Sequence, residues 1–114
     1  MEDITDNMTD EEMKAEVKKV IAYSVDQYKA KTDDVSRSVA ITYIRKYRSD
    51  SHTKEAAEEF ADEWLAEELS KCNGKSMAES KPFYDAIRII RDSGMGLLAD
   101  NYIIKKAKEE IVNH

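Results

Sequence analysis

Little in this chain breaks a helix. Its 114 residues include three glycines and one proline, whereas a β-rich fold needs a turn about every 8–12 residues. Cysteine occurs once, at Cys72. No intrachain disulfide can form, and a reducing compartment is expected. No apolar run approaches the ~18 residues that cross a bilayer, and the stretch Ile87 to Ile90 is broken by Arg88. Met1 to Asp10 is acidic and polar, without the basic start and apolar middle of a secretory signal. These absences point to a cytoplasmic protein that does not enter membranes.

What is present favours long helices. Hydrophobic residues make up 41% of the chain and charged residues 37%, a balance that is polar but still able to build a core. Ala, Glu, Lys and Leu are good helix formers. A chain of this size buries roughly two-thirds of the surface it exposes when unfolded, so it needs no structural metal. The expectation is an all-α fold: a compact, single-domain bundle of about five helices with short connections over residues 9–114. A flexible acidic segment, 1–8, precedes it.

Charge is distributed unevenly. Residues 1–34 carry ten acids and five bases, and residues 35–54 carry five bases and one acid. Residues 55–70 carry seven acids and no base, in a chain of net charge −6. Such blocks either pair across packed helices or present an acidic face that steers a basic partner.

Capping signals and apolar spacing place the helices. Thr9 and Glu12 form a capping box, followed by a helix to about Ala30. Its apolar stripe is Met13, Val17, Val20, Ile21 and Tyr28, with Ser24 in the same seam. Thr32 is the next expected cap, opening a second helix to about Arg48. At ~100° per residue, Val35, Val39 and Tyr43 share one face of it, and Ile41 and Ile44 point to the other, beside Arg37 and Arg48. A surface helix shows one apolar stripe, and this one shows two. A turn over Asp50 to Thr53 leads to a third helix, about Lys54 to Lys71. Its apolar side is Ala57, Phe60, Ala61, Trp64, Leu65 and Leu69, and its other side is acidic. Asn73-Gly74 is suited to a left-handed stop. Ser76 and Glu79 suit one more capped turn, and Pro82 sits in a first-turn position of a fourth helix that buries Phe83, Ile87 and Ile90. Gly94 ends it. A fifth helix, Leu97 to Val112, carries a broad apolar face of Leu97, Leu98, Tyr102, Ile103, Ile104 and Ile111.

No motif for chemistry stands out. His52, His114 and Cys72 are far apart, without the spacing of a zinc site. Asp3, Asp6, Asn7 and Asp10 resemble a calcium loop in composition but lack its glycine. Cys72 falls at a helix C-terminus, where the dipole disfavours a thiolate. Gly94 and Gly96 give GxG with no preceding strand. No catalytic residue, metal or cofactor is expected, and the chain reads as a binding protein rather than an enzyme.

Two partner-binding surfaces are candidates. One is the acidic face of Glu55, Glu59, Asp62 and Glu63. The other is an apolar patch of Ile41 and Ile44 rimmed by Arg37 and Arg48, since apolar centres with arginine rims suit protein interfaces. In that second reading Val35, Val39 and Tyr43 enter the core. Packing of the second helix on both sides, or self-association into a homo-oligomer, would satisfy the same pattern. The alternative function is nucleic-acid binding through Arg45, Lys46, Tyr47 and Arg48, with bases gripping phosphates and the tyrosine stacking on a nucleobase. In size, charge and helix count the chain resembles bacteriocin-immunity proteins and the small inhibitors and regulators of phages and mobile elements. That resemblance implies an inhibitor, immunity factor or regulatory subunit acting on a protein.

Overall fold

A computed structural model describes residues 9–72, 75–76 and 79–112. Among them every regular element is an α-helix: α1 (Asp10–Lys31), α2 (Asp34–Ser49), α3 (Lys54–Ser70), α4 (Lys81–Asp92) and α5 (Gly96–Val112). The chain is all-α, with five helices in the expected order. The acidic segment 1–8, the Asn73-Gly74 stop and His114 lie outside the described residues.

Local chemistry accounts for the helix ends. The Thr9 hydroxyl accepts the Glu12 amide at 3.1 Å and donates to the Glu12 carboxylate at the same distance. Asp10, Glu11 and Glu12 fill the first turn of α1, where the helix dipole favours negative charge. The joint to α2 corrects one expectation, because Thr32 closes α1 instead of opening α2. It adopts the left-handed conformation, with φ 52, and its amide donates to the Tyr28 carbonyl at 2.6 Å. Asp33 begins α2, its carboxylate accepting the Ser36 amide at 2.7 Å. With only two residues between the helices, one must close the first and the other cap the second. After α2, the buried Thr53 hydroxyl donates to the Tyr47 carbonyl at 2.6 Å. Pro82 lies in the first turn of α4, and Gly94, with φ 94, ends it.

The chain divides into two compact units, residues 1–60 and 61–114, with the boundary inside α3. In the first, α1 packs on α2 and buries Val17, Ile21, Val25, Ala40 and Ile44. Lys14 reaches Glu55 at 3.0 Å and Glu59 at 3.6 Å, and Lys18 reaches Glu59 at 3.6 Å. These pairs tie α1 to the start of α3. The second unit packs α4 on α5 around Leu65, Phe83, Ile87, Ile89 and Ile90. Each fully buried side chain of this size contributes roughly 1.5–3 kcal/mol of transfer free energy. The broad apolar face expected of α5 is corrected: Ala99 and Tyr102 are buried, but Leu97, Ile104 and Ile111 are exposed. The buried side of α5 instead includes Lys106, whose ammonium lies 3.6 Å from the Glu110 carboxylate.

Candidate partner-docking groove

The two-sided character of α2 resolves opposite to the expectation. Ser36, Ala40, Ile44 and Tyr47 form its buried side, and Ile41 is half-buried. Val35 is 73% exposed, Val39 42% and Tyr43 36%. The predicted patch of Arg37, Ile41, Ile44 and Arg48 is therefore not an exposed apolar surface, since Ile44 has no accessible area. The physical reason is side-chain size. Ser36 and Ala40 are small, so this side lets α2 approach its neighbour closely, with Ile44 and Tyr47 also buried there.

The exposed stripe borders a groove of about 610 Å³ between α1 and α2. Val20 and Tyr23 line it from α1, and Val35, Val39 and Tyr43 line it from α2. Ser24 and Ser36, both buried, also line it. Glu16, Lys19 and Lys31 supply charge at its walls. The other flank of the stripe has a second, shallower depression of about 540 Å³, lined by Asp34, Ser38 and Thr42 together with the stripe itself. Val35, Val39 and Tyr43 thus form a ridge between two hollows. The Tyr43 ring stacks on that of Tyr47, with centroids 6.5 Å apart, which holds the end of the ridge in place.

The other candidates are placed differently. Glu55 and Glu59 engage Lys14 and Lys18, as described. Asp62 accepts the Tyr102 hydroxyl, at 2.6 Å to its carboxylate and 3.0 Å to its carbonyl. Glu55, Glu59 and Asp62 of the acids proposed as a docking face are therefore engaged within the fold, and Glu63 is exposed to solvent. Burial, then this hydrogen bond to Asp62, pushes the Tyr102 phenol up to about 12. In the basic cluster Arg45 and Lys46 are exposed and Arg48 half-buried. Tyr47 is buried, which takes its ring out of reach of a nucleobase. The Cys72 thiol is buried and donates to the Glu68 carbonyl at 3.4 Å. Among the described residues no three His, Cys, Asp or Glu side chains come together as metal ligands would, and no helix is long and apolar enough to cross a membrane.

Tyr23 is the residue that spacing alone missed. It is 69% exposed and falls outside the expected stripe of Met13, Val17, Val20, Ile21, Ser24 and Tyr28, of which Val20 is only half-buried and lines the groove. Its signal was positional, because with Val20 it continues a second line on α1 beside the buried one. No protein-family model matches the chain, and neither does any curated protein or solved structure.

Proposed function

We propose that this protein acts by binding another protein and catalyses no reaction, as an inhibitor, immunity factor or regulatory subunit does. One observation carries the reading: Val35, Val39 and Tyr43 form a solvent-facing apolar ridge beside a groove walled by Val20 and Tyr23. An apolar centre within a polar rim is the anatomy of protein interfaces, and a groove between two helices accepts an amphipathic helix through anchors spaced three or four residues apart. The displaced proton affinities of Lys14, Asp33, Lys71 and Tyr102 are accounted for by ion pairs, a helix cap and one part-buried hydrogen bond. The free Cys72 thiol fits a cytoplasmic protein.

The test is site-specific photo-crosslinking in the cells that make the protein. Tyr43 is replaced by photoreactive p-benzoyl-phenylalanine, with the same replacement of Tyr84 on α4 as control. The expected outcome is one discrete polypeptide adduct at position 43 that disappears when Val39→Glu is added. No adduct at position 43, or one indifferent to Val39→Glu, removes the groove from the case.

A further inference from the structure

We draw no further inference here: the strongest candidate, the apolar groove between α1 and α2 walled by Val20, Tyr23 and the ridge of Val35, Val39 and Tyr43, is the docking surface already described, and nothing in the structure shows what covers it.

Discussion

Single side chains set where this fold starts and stops. The Thr9 hydroxyl receives the Glu12 amide, one of four donors that a helix start leaves without intrahelical partners. Thr9→Ala should lower unfolding free energy by about 1 kcal/mol, measured by urea denaturation, and an unchanged midpoint would move the start of α1. Tyr102 acts over a longer range, joining α5 to Asp62 on α3. Tyr102→Phe keeps the buried ring and removes the hydroxyl, at a cost of about 1 kcal/mol. The contribution depends on pH in a defined direction. The folded-state phenol titrates at about 12 against an ordinary 10.0, so its stabilisation is fully present below pH 10.0 and fades as pH climbs toward 12. The stability gap between wild type and Tyr102→Phe should therefore stay constant to pH 10.0 and then close. A gap that widens with alkali would contradict the hydrogen bond.

At the scale of the element, α2 is decisive. Ile44→Ala removes a side chain with no accessible area and should cost ~2–5 kcal/mol. Val35→Ala removes one that is 73% exposed and should change stability by less than ~0.5 kcal/mol. Equal costs, read from thermal or urea midpoints, would mean that α2 is turned the other way. This helix also shows how far sequence reading goes. The five helices were legible because caps, proline and glycine punctuate the chain, and because α1, α3 and α4 each carry a stripe that packing needs. In α2 two stripes compete, Val35/Val39/Tyr43 and Ile41/Ile44, and hydropathy alone does not choose between them. Close approach between helices depends on smallness, which hydropathy does not weigh, so Ser36 and Ala40 were overlooked. Hydropathy also hid Glu68 and Lys106, both buried, where ion-pair partners Lys71 and Glu110 lie 3.6 Å away.

At the scale of the whole molecule, the charge blocks of the sequence engage each other in part. Lys14 and Lys18 meet Glu55 and Glu59, so the acidic run of 55–70 serves the fold at its beginning. α3 belongs to both units, and a cut between Phe60 and Ala61 divides it. Chains of 50–60 residues seldom hold a core unaided, and either fragment would carry a severed, uncapped piece of α3. Residues 1–60 and 61–114 made separately should therefore lose the cooperative thermal transition of the intact chain in circular dichroism. A sharp transition in either would show an independently folding half. Trp64, the only tryptophan, is 5% exposed and belongs to the half without the groove. The molecule thus contains a native optical reporter whose side chain does not line the groove. Emission from Trp64 should follow the melting of its own core and stay constant while the Val39 ridge is altered, so a loss of binding can be told from a loss of structure in one cuvette without a label.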